Sequence, residues 1–163
     1  LLYDLSRSSN AKIIIETGVA LGWSSLSLLL SLSRIRNSVL ISIDMPYPIR
    51  DLEKYVGFVV PEFLKKRWRL IRSSDRHAIP RIMDESHNID MIHYDSDKSF
   101  AGRMWAYPLL WNKLKIGGYF LSDDINDNNA FRLFCESRKL KPFIIQHNSN
   151  NSTKYIGIIK KGR

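Results

Sequence analysis

Short apolar runs recur along the chain, and stretches with helical spacing lie between most of them. The runs are continuously apolar rather than alternating, which is typical of strands covered on both faces. Strands of this kind that alternate with helices indicate a parallel, doubly wound α/β sheet. The predicted strands are 13–15, 39–43, 70–71, 89–94, 119–121, 143–145 and 155–159, and the predicted helices are 2–8, 24–34, 76–85, 100–113 and 128–139.

The final two predicted strands differ from the rest because only the polar segment HNSNNST, at 147–153, separates them. This segment is too short for a helical crossover, so the two strands are expected to pair as an antiparallel hairpin at one edge. The predicted fold class is therefore α/β, with a doubly wound, mostly parallel seven-stranded sheet and an antiparallel edge hairpin. No linker, repeat or low-complexity tract interrupts the chain, which predicts a single domain over residues 1–163.

Acidic residues follow the predicted strands that precede the hairpin, although the formal net charge of the chain is +9. Ligands of open α/β sheets bind beyond the carboxyl ends of the strands, so we expect a site at these positions. Helix capping is an alternative for Asp75 and Asp44. It does not account for the adjacent Asp123 and Asp124, whose like charges repel unless a cation binds. The six residues are Glu16, Asp44, Asp75, Asp95, Asp123 and Asp124.

The first predicted strand runs into the sequence ETGVALG, at 16–22, and a helix is expected to begin near Ser24. Glycines at such a turn let a ligand approach the backbone closely, and the helix start offers free N–H groups. The spacing is G-x-x-x-G rather than the dinucleotide-binding G-x-G-x-x-G. The acid at Glu16 suits a cation and would repel a phosphate. A purely structural turn is the alternative.

These motifs resemble those of a known enzyme family. The turn resembles motif I of the class I S-adenosylmethionine (SAM)-dependent methyltransferases, which have a Rossmann-like fold. The segments IDMIHYDSDKSF, at 89–100, and LKIGGYFLSDDI, at 114–125, resemble the strand-4 and strand-5 motifs of metal-dependent O-methyltransferases of the catechol and caffeoyl-CoA type. The first of them also resembles the Asp-Gly-Asp-His-Ser-Tyr stretch of small-molecule and sugar methyltransferases. The resemblance covers about residues 10–160.

The resemblance implies roles for individual residues. Asp95 and Lys98 would be catalytic, with Lys98 taking the proton of the substrate, although nearby carboxylates oppose its deprotonation. Asp95, Asp123 and Asp124 would bind Mg²⁺, or Ca²⁺ or Mn²⁺, and the second residue of the Asp-Asp pair replaces the family's usual Asn. The implied SAM contacts are Glu16, Gly18, Gly22, Ser24, Asp44, Met45, Ser74, Asp75 and Asp95.

The function implied is SAM-dependent transfer of a methyl group to a hydroxyl of a small molecule, a sugar or a phenol, assisted by a divalent metal. The alternative is a methyltransferase-like domain that binds the cofactor or RNA without this catalysis. Residues 45–62 are expected to shape the acceptor pocket. A homodimer is left open.

The basic excess is densest at KKRWR, 65–69, which Arg72 and Arg76 follow. This stretch fits either a phosphate-binding patch or a solvated helix end. We favour the second interpretation because no nucleic-acid-binding motif accompanies it. A nucleic-acid partner is therefore not expected.

Three further features of the sequence indicate the cellular compartment of the protein. No apolar run approaches the ~20 residues of a membrane span, since LSLLLSL at 26–32 is far shorter. The first ten residues carry Asp4 and Arg7 and lack the apolar centre of a signal peptide. Cys135 is the only cysteine, which excludes an internal disulfide and fits a reducing compartment. We therefore expect a cytoplasmic protein without a membrane partner.

Overall fold

Strands and helices alternate through the computed structural model, which describes residues 1–85, 88–149 and 152–162. The strands are β1 (Ile13–Thr17), β2 (Val39–Asp44), β3 (Trp68–Arg72), β4 (Ile89–Tyr94), β5 (Leu114–Ser122), β6 (Phe143–Ser149) and β7 (Ser152–Lys160). The α-helices are α1 (Leu2–Ser8), α2 (Trp23–Leu32), α3 (Glu62–Lys65), α4 (Asp75–Glu85), α5 (Phe100–Lys113) and α6 (Ala130–Ser137). Two 3₁₀ helices span Arg50–Tyr55 and Ile125–Asp127.

The strands form one sheet with the order β3-β2-β1-β4-β5-β7-β6. The first five strands of the chain pair in parallel, and β7 pairs antiparallel with both β5 and β6. This arrangement confirms the predicted fold class, including the edge hairpin. Residues 150–151, within the segment predicted to connect the hairpin, lie outside the described residues.

Apolar layers cover both faces of the sheet, which explains why the strand sequences are continuously apolar. Neighbouring residues of one strand point to opposite faces. In β1, Ile14 packs in the layer that contains Leu28 of α2, whereas Ile15 packs in the layer that contains Ile82 of α4 and Tyr107 of α5. The two layers hold the carboxyl ends of β1, β2 and β4 side by side at one edge, where acidic residues follow the strands.

The structure differs most from the prediction between β2 and β3. The sequence showed no helical periodicity there, yet the segment contains a 3₁₀ helix and the single turn α3. Several of its apolar side chains are exposed, among them Ile49 and Phe58, so no buried stripe marks the helices.

The basic stretch of residues 65–69 makes contacts within the chain. Lys65 pairs with Glu62 at 2.8 Å, and Arg69 pairs with Glu85 at 2.6 Å. The guanidinium of Arg67 donates to the carbonyl oxygen of Ile35 at 3.0 Å. These contacts favour the solvated helix end over a phosphate-binding patch, although the stretch continues from the end of α3 into β3. Within the described ranges, no helix is both long enough and apolar enough to cross a membrane.

Candidate active site

A cavity of about 470 Å³ opens where β1, β2 and β4 end. Its position matches the edge at which the sequence predicts a ligand. Most of the residues predicted to contact a cofactor line it together. They are Gly18, Ser24, Asp44, Met45, Ser74, Asp75 and Asp95.

Gly18 brings the end of β1 against the end of β4. Its φ is +82°, in the left-handed region that favours glycine. Its amide donates to the carbonyl oxygen of Ile43 at 2.8 Å, and a β-carbon at this position would overlap the carbonyl group of Asp95. The absence of a side chain therefore allows the ends of β1 and β4 to approach each other closely at the cavity.

Asp44, the last residue of β2, presents a carboxylate at one end of the cavity. Its Oδ2 accepts from the amide of Ala20 at 3.1 Å and lies 3.3 Å from Nη1 of Arg72. Burial raises the pKa of Asp44, while the Arg72 cation and the backbone amide of Ala20 act in the opposite direction. A carboxylate in this place is suited to accept from paired hydroxyl groups.

Asp75, the first residue of α4, lies in the same cavity wall. Ser96 Oγ donates to its Oδ2 at 2.5 Å and lies 2.8 Å from Thr17 Oγ1. Burial raises the pKa of Asp75. The guanidinium of Arg76, which also lines the cavity, lies 4.4 Å from the ring centroid of Trp105. Arg76 was not predicted as a site residue, since its sequence context indicates only an exposed basic helix position.

Two predicted cofactor contacts, Glu16 and Gly22, are not among the residues that line the cavity. Glu16 is fully buried, and its Oε2 accepts from Ser25 and Ser42, each at 2.6 Å. The carboxylate is thus held between α2 and β2. Gly22 begins α2 with a φ of +93°, and a β-carbon there would lie 2.8 Å from Cα of Gly57. A glycine at this position lets the backbone at Gly22 pack closely against the backbone at Gly57.

Residues 45–62 contribute side chains to two cavities. Met45 and Tyr47 line the first cavity, and the amide of Gly57 donates to the carbonyl oxygen of Ala20 at 2.9 Å. The segment therefore lies against the glycine turn, and its residues Tyr47, Leu52, Tyr55 and Val56 also line a separate cavity of about 230 Å³. An acceptor pocket formed by this segment stays a prediction.

A buried histidine connects the glycine-turn region to the end of β5. His93 Nδ1 lies 3.8 Å from Glu16 Oε1, and its Nε2 lies 3.7 Å from Asp123 Oδ2. Burial alone would lower the pKa of His93, but the two carboxylates raise it to about 10. The two carboxylates therefore favour the imidazolium form of His93, whose charge compensates the buried Glu16 and the partly exposed Asp123.

A second cavity, of about 370 Å³, adjoins the first and shares Ser24 and Asp95 with it. Its apolar lining includes Trp23, Leu121 and Ile156, whereas its polar lining includes Asp123, His147 and Ser27. A molecule held here would meet a molecule held in the first cavity at Asp95.

Lys98 and Asp124 lie beside this junction in a group of alternating charges. The ammonium of Lys98 donates to Asp124 and lies 3.3 Å from Asp95 Oδ1. Lys154 of β7 also pairs with Asp124, at 3.1 Å. Burial would lower the pKa of Lys98, but Asp124 and Asp95 raise it above the ordinary lysine value. Lys154 is thirty residues from Asp124 in the chain, and no local motif in the sequence indicates the contact.

The donor atoms of the predicted metal site can be compared with this arrangement. Asp123 Oδ1 is buried without a hydrogen-bond partner among the described residues, and the buried Asp95 Oδ1 has only its ion pair with Lys98. Asp124, however, is paired with two ammonium groups. Among residues 1–85, 88–149 and 152–162, no three His, Cys, Asp or Glu side chains form a group that could hold a metal ion. The three carboxylates as arranged do not fit a divalent cation bound by all of them.

Comparison with known proteins adds a family match. A family model described as "Methyltransferase domain" matches residues 15–125. No curated protein sequence matches the chain.

Solved structures show the same fold at low sequence identity. An O-methyltransferase from Bacillus cereus in complex with SAH has a TM-score of 0.78 and 16% identity, with 98% of this chain and 79% of that chain covered. The O-methyltransferase TomG from Streptomyces achromogenes, involved in tomaymycin synthesis and in complex with SAM, has a TM-score of 0.80 and 15% identity, with 99% and 78% covered.

Proposed function

The chain belongs to the methyltransferase domain family, and on that premise we propose that it transfers the methyl group of SAM to a hydroxyl of a small molecule. The observation that carries the proposal is the junction of the two cavities at Ser24 and Asp95. Methyl transfer needs the donor carbon and the acceptor oxygen in near contact, and adjoining cavities supply that proximity. The complexes of similar folds with SAM and SAH support the choice of cofactor.

The first cavity would hold SAM with its ribose at Asp44 and its adenine towards Ser74 and Asp75. The glycine turn at Gly18 would face the methionine portion, and Asp95 would lie near the sulfonium. A carboxylate at each end suits this ligand, since the ribose offers hydroxyl donors and the sulfonium and amino groups carry positive charge.

The second cavity would hold the acceptor. Its volume is within the range of small-molecule sites, and an apolar wall with a few polar groups is typical of such sites. The flat ring of Trp23 and the side chains of Leu121 and Ile156 suit the face of a phenol or a sugar. Asp95, Asp123 and His147 would orient its hydroxyl groups.

Asp95 rather than Lys98 would be the proton acceptor. Lys98 is held as an ammonium by its carboxylate partners, so it has no lone pair for a proton. Burial and the neighbouring Asp123 raise the pKa of Asp95, which makes its carboxylate a better base. As the oxygen–carbon bond forms and the sulfur–carbon bond breaks, the hydroxyl proton passes to Asp95. The cofactor leaves as the neutral thioether S-adenosylhomocysteine (SAH).

Lys98 would then act by charge, since its ammonium lies beside Asp95 and can stabilise the developing oxyanion of the acceptor. No step of this proposal passes through a metal ion, because Asp124 is already neutralised by Lys98 and Lys154. Assistance by Mg²⁺ remains a prediction from the sequence resemblance.

The experiment is a transfer assay with SAM labelled in its methyl group and a panel of phenols and monosaccharides. The wild-type protein should form labelled product and SAH in equal amounts. Asp95→Asn should lower kcat by about 10²- to 10⁴-fold, the usual contribution of a general base. Asp84→Asn, at an exposed position of α4, should leave kcat unchanged. SAM binding without transfer to any acceptor would favour a cofactor-binding domain without catalysis.

A further inference from the structure

An ion-pair network lies directly behind the carboxylate that faces the first cavity. Arg72 ends β3 and is the register partner of Asp44 in the neighbouring strand β2. Its Nη1 lies 3.3 Å from Asp44 Oδ2. On its other side the guanidinium donates to both carboxylate oxygens of Glu53, with Nε–Oε2 at 3.0 Å and Nη2–Oε1 at 2.8 Å. A planar guanidinium held on two sides in this way has little rotational freedom.

Glu53 extends the network to the wall of the cavity. It belongs to the 3₁₀ helix Arg50–Tyr55, and its Oε1 accepts from the amide of Tyr47 at 2.5 Å. Arg72 Nη2 also donates to the carbonyl oxygen of Met45 at 3.1 Å. The guanidinium lies 5.8 Å from the ring centroid of Tyr47. The same two charged side chains thus hold both Met45 and Tyr47.

Neither Arg72 nor Glu53 lines the cavity, whereas Asp44, Met45 and Tyr47 all do. Arg72 and Glu53 can therefore affect a bound ligand only through the positions and charges of Asp44, Met45 and Tyr47. Arg72 is only 24% exposed and Asp44 11%, so solvent screens their interaction less than that of a surface pair. The network is well placed to fix the geometry of the cavity before a ligand arrives.

We propose that Arg72 and Glu53 are positioning residues of the cofactor site, which fix the carboxylate of Asp44 and the wall at Tyr47 in the arrangement that receives the ribose. The proposal rests on the assignment of the first cavity to SAM. Asp44 Oδ2 accepts a hydrogen bond from the amide of Ala20 and forms an ion pair with Arg72, and together these two contacts restrict the position of the carboxylate. Preorganisation of this kind raises affinity because fewer groups lose freedom on binding.

Charge gives Arg72 a second effect on the same carboxylate. Burial raises the pKa of Asp44, and the Arg72 cation counteracts that rise. Without Arg72 the carboxylate takes up a proton at higher pH and then accepts hydrogen bonds from hydroxyl groups less well. A loss of Arg72 should therefore change how SAH affinity depends on pH, which a purely packing role would not do.

The test compares Arg72→Met, Arg72→Lys and Glu53→Gln by calorimetric titration with SAH and with 2′,3′-dideoxy-SAH, which lacks the ribose hydroxyls. The matched controls are Arg69→Met and Glu85→Gln, because this exposed pair, which joins β3 to the end of α4, has an equally direct contact, 2.6 Å, and lies outside the cavity lining. Unfolding temperatures establish that each variant folds.

Arg72→Met and Glu53→Gln should weaken SAH binding by about tenfold, equivalent to about 1.4 kcal/mol. Binding of the dideoxy analogue should change much less, and Arg72→Lys should recover part of the affinity because it keeps the charge. The acid limb of the SAH affinity profile should move to higher pH in Arg72→Met. The controls should match the wild type.

Equal losses for SAH and the dideoxy analogue, or wild-type affinity in both Arg72→Met and Glu53→Gln, would overturn the proposal. If Arg72→Met does not fold, the SAH affinity of Glu53→Gln tests the proposal. This variant is expected to fold because Glu53 is more than a third exposed. A wild-type protein that fails to bind SAH would instead refute the assignment of the cavity, a result distinct from the others.

Discussion

Gly18 lies so close to the carbonyl group of Asp95 that a β-carbon on Gly18 would overlap it. Gly18→Ala should therefore push apart the ends of β1 and β4 and displace Asp95 from its place in the lining of the first cavity. We expect a loss of stability of about 1–3 kcal/mol beyond backbone strain, the usual cost of overpacking. SAH affinity should fall as well. Urea denaturation and calorimetric titration measure the two effects.

Gly117→Ala is the matched control for backbone strain. Gly117 has a φ of +83°, almost equal to that of Gly18, but a β-carbon there would meet no atom within 4 Å among the described residues. It should cost about 1–2 kcal/mol from the left-handed conformation alone. Equal losses in the two variants would mean that the contact with Asp95 does not constrain the cavity lining.

His93→Leu should destabilise the protein strongly. The substitution leaves Glu16 and Asp123 without their shared cation, and an uncompensated buried charge costs about 3–5 kcal/mol. Glu16→Gln in the His93→Leu background should recover part of this loss, because it removes one of the stranded charges. No recovery in the double variant would contradict the charge compensation.

The same histidine predicts a pH dependence. Its pKa is raised from 6.5 to about 10 in the folded protein, so its stabilisation is complete below pH 6.5 and is lost as the pH rises through 10. The free energy of unfolding of the wild type should fall faster over this window than that of His93→Leu. Parallel pH profiles of the two proteins would refute the prediction.

The sheet could be predicted because its signal is local. Neighbours such as Ile14 and Ile15 pack on opposite faces, so a strand covered twice must be apolar at consecutive positions. The local sequence also predicts that Asp44 and Asp75 lie at the cavity. Asp44 ends β2 and Asp75 comes shortly after β3, and ligands of open α/β sheets bind beyond the carboxyl ends of the strands.

The direction of a side chain at such an edge is less predictable. Glu16 lies near the end of β1 as Asp44 ends β2, but Ser25 and Ser42 hold its carboxylate between α2 and β2. The contact between Lys154 and Asp124 joins parts of the chain that only the closed sheet brings together. Arg72 pairs with Glu53, which lies in the segment between β2 and β3. Because that segment has no helical periodicity, the sequence does not indicate the pair.

Magnesium should have little effect on the wild-type protein. Lys98 and Lys154 neutralise Asp124, so millimolar Mg²⁺ should leave the unfolding temperature nearly unchanged. The double variant Lys98→Met/Lys154→Met frees Asp124 beside Asp95 and Asp123 and should gain a Mg²⁺-dependent rise in unfolding temperature. If Mg²⁺ raises the unfolding temperature of the wild type by several degrees, the metal displaces Lys98 and Lys154 from Asp124, and the carboxylates bind it as the sequence resemblance implies.

The central claim, that the first cavity holds SAM with its ribose at Asp44, is tested most directly by calorimetric titration of SAH into the wild type and Asp44→Ala. The substitution removes charge-assisted hydrogen bonds, so the binding free energy should weaken by about 1–3 kcal/mol. Asp84→Ala, at an exposed acid of α4, should bind SAH as the wild type does. Unchanged affinity in Asp44→Ala would contradict the account.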